Sequence, residues 1–204
     1  MHNCIYSGHC MQEMCDKSCP TLAETTYLLE RNRISMSSEV FKTDPTVVEK
    51  YIKYLNDAEG KTKSLFAKNT VNASELLTYC SICQKWRGSR LHCTVYNLKF
   101  SQYVESIKKS WSMKSESDEL EYMRIWSTNA KVLIISNLDY VNFKDFECQT
   151  LLSLLQSREK SEFTTILVSP ITGSLVGNGQ FFNRFINLLN DKEIRLNEGK
   201  EVDK

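Results

Sequence analysis

The amino-acid sequence predicts a three-layer α/β domain with a mainly parallel, five-stranded sheet, preceded by a small N-terminal cysteine-rich metal knuckle. Three observations carry this expectation. From Ser64 onward, short apolar runs alternate with stretches of helical periodicity, the order that βαβ units require. The runs themselves, such as Lys131-Val-Leu-Ile-Ile-Ser136, are nearly all apolar, as strands covered by helices on both faces are. The first twenty residues stand apart, with four of the eight cysteines and two of the three histidines.

The chain of 204 residues has room for one ordinary domain and a small appendage. Its net charge of +1 creates no global field that would demand nucleic acid or an anionic membrane. The longest apolar runs, such as Val132 to Ile135, are far too short to span a membrane, and the N-terminus lacks the apolar core of a signal peptide. A cytoplasmic, reducing location is therefore expected, with the cysteines as thiols or metal ligands rather than disulfides.

Four regions follow from the pattern: residues 1–34 as a zinc knuckle plus helix, 35–63 as a linker and helix, 64–196 as the α/β domain, and 197–204 as a flexible tail. Thr21-Leu-Ala-Glu24 is a capping-box pattern that opens a helix through about Asn32. Asp44-Pro45 starts a second helix, with Val48, Tyr51, Ile52 and Leu55 on one face and Gly60 at its end. Ser64 to Lys68 reads as a strand, and Ala73 to Trp86 as a helix with Leu76, Leu77, Cys80 and Cys83 on one side. Leu91 to Tyr96 is the next strand. Ser101 to Trp111 is a helix with Val104, Ile107 and Trp111 in phase, and a polar loop, Ser112 to Ser117, leads to a helix around Leu120, Met123 and Trp126. The strand Lys131 to Ser136, a helix from Lys144 to Arg158, the strand Thr164 to Val168, a helix from Gln180 to Asn190 and a short strand, Glu193 to Leu196, complete the order.

Cys4, Cys10, Cys15 and Cys19 are separated by five, four and three residues. Four thiolates in so short a segment can wrap one tetrahedral Zn²⁺, and such a segment has no other way to build a core. His2 or His9 could replace one thiolate, and an iron–sulfur cluster or a set of free thiols remains an alternative. Cys80 and Cys83, with His92 and Cys93, are explained by core packing. No Ser–His–Asp or Cys–His arrangement is present. His92 stands beside Cys93 in an expected strand, where adjacent side chains face opposite ways.

Glu59-Gly-Lys-Thr62 contains the last residues of a phosphate loop, but a helix precedes it and a strand follows. Phosphate binding needs the reverse, so that free amides at a helix start face the anion. The place for such a loop, after the first strand, reads Lys68, Asn69, Thr70, Val71, Asn72, Ala73 and Ser74, without a glycine. The end of the strand at Lys131 is occupied by Ser136 and Asn137 rather than by acids. Two losses at two halves of one site point to a domain that does not use nucleotide.

The stretches LHCTVYNLKFSQYVESIKKSW, KVLIISNLDYVNFKDFECQTLLSLLQSREKSEFTTILVSP and FFNRFINLL give the order from about Ser64 to Leu196 a resemblance to a known family. It resembles the AAA+ domain of bacterial and phage replicative helicase loaders and their transposase-helper relatives. The resemblance implies a P-loop-like sheet and an N-terminal segment that holds the helicase, a role suited to Cys4 to Cys19. It also implies that Ser136 and Asn137 stand where the family has its metal-holding and catalytic acids, and Ser169 near its polar sensor. Asp139 comes too late along the chain to replace either acid. Arg184 is left as a possible arginine finger reaching into a neighbour's site, which would require an oligomer; an ion-paired surface arginine is the plainer reading.

The expected function is that of a non-catalytic AAA+-like adaptor in DNA replication, of phage or mobile-element type, with zinc as its metal and no membrane partner. Its partner would be a replicative helicase or helicase loader. One alternative is an active ATP-dependent loader with an unusual nucleotide site. Another is a zinc-containing regulator that binds single-stranded DNA through Lys108, Lys109, Trp111 and Lys114. That stretch is equally a solvated helix face with Trp111 turned to the core.

Overall fold

The computed structural model describes residues 20–34, 43–67, 69–86, 94–138, 141, 143–159, 161, 163–169 and 194–195. The knuckle cysteines Cys4, Cys10, Cys15 and Cys19, Lys68, His92, Cys93, Asp139, and Arg184 with its expected helix lie outside these residues.

Two helices, α1 (Pro20–Arg31) and α2 (Pro45–Asp57), precede β1 (Thr62–Phe66) and α3 (Thr70–Trp86). Then come β2 (Val95–Lys99), α4 (Phe100–Met113), α5 (Asp118–Asn129), β3 (Val132–Ser136), α6 (Asp145–Glu159), β4 (Thr164–Ser169) and the two-residue β5 (Ile194–Arg195). The body of the sheet is four parallel strands in the order β2-β3-β4-β1, and β5 lies along the outer edge of β1. From β1 the chain crosses through α3 to the far edge and returns strand by strand.

Alternate strand residues feed two cores. Leu65, Ile134, Ile166 and Val168 meet α1, α2 and α3 on one face. Tyr96, Leu98, Leu133, Ile135 and Leu167 meet α4, α5 and α6 on the other. The sequence expectation of a one-sided α3 is corrected here, because every residue from Leu76 to Ile82 is buried. Helices α1 and α2 cover the side of α3 that the sheet does not. Two of the hydroxyls caught in this layer turn back on their own helix: Thr78 donates to the Ser74 carbonyl and Ser81 to the Leu77 carbonyl, both at 2.7 Å.

Asp44 starts α2 as expected, accepting from the Thr46 amide at 2.7 Å and hydroxyl at 2.6 Å, with Pro45 at the first helical position. Gly60 takes a left-handed φ of 68° in the turn from α2 to β1. Strand β1 begins at Thr62, two residues before the expected Ser64. The Gly60 amide already donates to Thr164 Oγ1, and the Thr165 amide to the Lys61 carbonyl. Strand β2 runs to Lys99 rather than stopping at Tyr96. Its polar Asn97 reads as a terminator in sequence, but at the sheet's edge it has partners on both sides. Helix α4 extends through Met113 into the expected loop and ends at Lys114, with φ 51°. Among the described residues no helix is long and apolar enough to cross a membrane.

Candidate functional site at the carboxyl ends of the strands

In an open parallel sheet the ligand crevice lies beyond the carboxyl ends of the strands, where the winding reverses. Here that place is bounded by the ends of β1, β3 and β4. Past β1, the Ala67 amide still pairs with the Ser169 carbonyl at 2.9 Å, so the chain enters α3 from an ordered ladder. Helix α3 is then capped by its own sequence. Asn69 Oδ1 accepts from the Asn72 amide at 3.0 Å, and the Asn69 carbonyl accepts from the Ala73 amide at 3.0 Å. The side chain therefore occupies one of the donors that an anion at a helix start would use. Val71 is exposed in the first turn, and Ser74 Oγ bonds the Val71 carbonyl at 2.9 Å.

The end of β3 is equally self-contained. Ser136, 1% exposed, donates its hydroxyl to Asn97 Oδ1 at 3.0 Å. The Asn97 amide donates to Asn32 Oδ1 at 2.8 Å. A chain of neutral polar groups thus runs from α1 across the edge strand to β3. Asn137 turns the backbone at φ 59°, a left-handed conformation that asparagine tolerates better than most residues. Both residues sit where the sequence placed them, and neither brings a negative charge to the crevice. Among the described residues no group of three or more histidine, cysteine, aspartate or glutamate side chains could hold a metal.

The basic–aromatic stretch departs from expectation. Trp111 is not turned to the core but is 60% exposed, leaning edge-on against Phe146 at 4.7 Å between ring centroids. Phe100, Tyr103, Val104 and Ile107 hold the buried face of α4, and in its last turn Trp111 leans on Phe146. Lys108 is committed to an ion pair with Glu147 at 2.5 Å, whereas Lys109 and Lys114 are exposed. Glu147 also accepts from the Lys144 amide at 3.0 Å, capping α6. Asn32 and Asn97 were missed by sequence reasoning, since nothing local announces a side chain that bonds a distant strand. The cap at Asn69 was missed as well: the helix was expected from Ala73 but starts at Thr70, one residue after an asparagine, which is among the best N-cap residues.

No protein-family model matches the sequence, and no curated protein does. Solved structures do match in shape. The DnaC helicase loader gives a TM-score of 0.50 at 11% identity, over 80% of this chain and 94% of that one. Replication initiator DnaA bound to AMPPCP and single-stranded DNA gives 0.51 at 14% identity, over 89% of this chain and 51% of that one. The chain shares the fold of these two replication proteins. It spans about half the length of the DnaA chain. At these identities the likeness carries the fold alone, and what this crevice does must be argued from Asn69, Ser136 and Asn137.

Proposed function

We propose that the chain is a non-catalytic adaptor whose AAA+ body binds a replicative helicase or its loader without using nucleotide. The observation that carries this reading is the self-satisfied crevice. Asn69 caps the helix start where phosphate would sit, and the Ser136 hydroxyl is given to Asn97 where an acid would hold Mg²⁺. The loader-like fold supports the choice of partner. In this reading Cys4, Cys10, Cys15 and Cys19 hold one structural Zn²⁺ and form the partner-facing knuckle.

Calorimetry with ATP and Mg²⁺ is expected to show no binding; micromolar affinity would transfer the chain to the active loaders. Metal analysis is expected to find one zinc per chain, lost from the Cys15→Ser/Cys19→Ser variant, and a metal-free protein would remove the knuckle. Capture from the native cell is expected to retain a replicative helicase or loader.

The outward indole of Trp111, with Lys109 and Lys114 exposed beside it, favours a second reading in which single-stranded DNA stacks on α4. That reading predicts binding that weakens steeply with salt and is lost in Trp111→Ala.

A further inference from the structure

Among the described residues strand β2 is an outer edge of the sheet, and an edge leaves a row of backbone donors and acceptors outside the ladder. The Thr94 carbonyl points inward, accepting from the Val132 amide at 3.1 Å. The amides and carbonyls of Val95, Asn97 and Lys99 therefore point away from β3. One side chain takes two of these groups. Asn32 Nδ2 donates to the Val95 carbonyl at 3.3 Å, and Asn32 Oδ1 accepts from the Asn97 amide at 2.8 Å. These are the two groups that a residue of a parallel neighbouring strand, opposite Tyr96, would bond. The buried carboxamide of Asn32 stands in for one residue of a missing strand.

The turn that presents Asn32 is strained. Helix α1 ends with the Ile34 amide on the Leu29 carbonyl at 2.9 Å and the Arg33 amide on the Glu30 carbonyl at 2.8 Å. In that motif the left-handed position usually holds glycine, and here it holds Arg33 at φ 57°. Besides the buried Asn32 and Ile34, two contacts that hold the turn lie nearer the surface. Arg33 pairs with Glu119 at 2.7 Å with both side chains more than half exposed, 58% and 55%. Arg31 lies over the Trp126 ring and donates to the Tyr122 hydroxyl at 3.1 Å.

The cleft beside this edge is lined by Arg31, Arg33 and Lys99 against the single acid Glu119. Tyr96 and Tyr122, edge to face at 6.1 Å, supply an apolar wall. We propose that the outer edge of β2 is a strand-addition site for an extended, acidic segment of a partner protein, and that Asn32 is the plug this segment displaces. Main-chain bonds along Val95 to Lys99 would supply affinity, and the cations would select acidic side chains. The inference stands whether or not the crevice takes nucleotide.

The test uses the full chain and a fluorescein-labelled peptide of alternating glutamate and valine, with a lysine–valine peptide as its counterpart. Asn32→Ala is expected to bind the acidic peptide at least about tenfold more tightly than the unaltered chain, because no side chain then competes for the edge. Adding Asn97→Pro, which removes an outward amide that an edge strand can lose, is expected to abolish the gain. Arg33→Gly relaxes the turn, removes one cation and should weaken binding several-fold, an outcome readable even if Asn32→Ala fails to fold. Equal affinity for the unaltered chain and Asn32→Ala, survival of the gain in Asn32→Ala/Asn97→Pro, equal binding of the lysine peptide, or unchanged binding by Arg33→Gly would each overturn the assignment.

Discussion

The two ends of the sheet follow opposite electrostatic plans. At the amino end of β4, Arg158 is 1% exposed and is the largest fully buried side chain among the described residues. Its Nε donates to Thr165 Oγ1 at 2.8 Å, Nη2 to the Thr164 carbonyl at 2.9 Å, and Nη1 to the carbonyls of Ser127 at 2.9 Å and Thr128 at 3.2 Å. Burial pushes its pKa down to about 10, so the cation persists at neutral pH. At the carboxyl end, Asn69, Ser136, Asn97 and Asn137 are neutral, and the bonds just described engage the first three with the chain itself. A nucleotide-driven motor concentrates fixed charge where triphosphate and metal sit. The fixed charge that this molecule desolvates is a guanidinium at the far end, against the negative end of α5, where it ties α5, α6 and β4 together.

The comparison predicts that the amino end dominates stability. Arg158→Met keeps much of the volume but leaves two buried carbonyls, a part-buried one and a buried hydroxyl without their donor. The expected loss is about 3–5 kcal/mol in urea unfolding, the scale on which breaking a buried charged network acts. A loss below about 1 kcal/mol would show that water or repacking replaces the guanidinium, and the contrast between the ends would fail.

Outside the neutral set, at the start of α6, Glu147 forms an ion pair with Lys108. Burial works to raise its pKa, but the hydrogen bonds from Lys108 and from the α6 backbone outweigh it and hold the carboxyl below its ordinary value of 4.5. A pKa lower in the folded state than in the unfolded state contributes stability above that ordinary value. The contribution disappears as pH falls through the folded pKa. Glu147→Gln is expected to cost about 1–2 kcal/mol at neutral pH and to flatten the acid limb of stability against pH. An unchanged acid limb would separate this carboxylate from the stability of α6.

Much of the sheet was legible because buried strands and covering helices impose periods on the sequence. Lys131 to Ser136 and Thr164 to Val168 lie within a residue of β3 and β4 as observed. What escaped was long-range polar pairing. Asn97 continues a strand through the ladder to β3, and its outward amide is satisfied by Asn32, sixty-five residues away. Arg158 read as an ordinary helix terminus, since its partners come from α5 and β4. The outward Trp111 escaped for a geometric reason: it has the helical phase of Ile107, but the core does not extend that far along α4.

The cap on α3 should be a smaller effect. Asn69→Ala removes the side-chain acceptor for the Asn72 amide and is expected to cost about 1 kcal/mol, whereas Asn69→Gly should cost only a few tenths. Neither substitution is expected to produce measurable ATP binding in calorimetry, because the loop still has no phosphate-loop spacing. ATP affinity gained by Asn69→Gly would mean that a single side chain, rather than the whole loop, separates this crevice from a working one.

The smallest effect is expected at Ser136. Its hydroxyl makes one neutral hydrogen bond to Asn97 Oδ1 inside the sheet, and Ser136→Ala removes that donor without opening a large cavity. Because Asn97 stays anchored through its amide by Asn32, the cost should be about 0.5–1.5 kcal/mol, the ordinary value for a neutral bond. The decisive measurement is a double-mutant cycle in urea unfolding between Ser136→Ala and Asn32→Ala. If the neutral chain acts as one network, the two losses should fall short of additivity, since either change loosens Asn97 and devalues the other bond. Strict additivity would mean that the β3 end and the edge plug are independent. The carboxyl end would then be a set of separate local repairs rather than one uncharged framework set against Arg158.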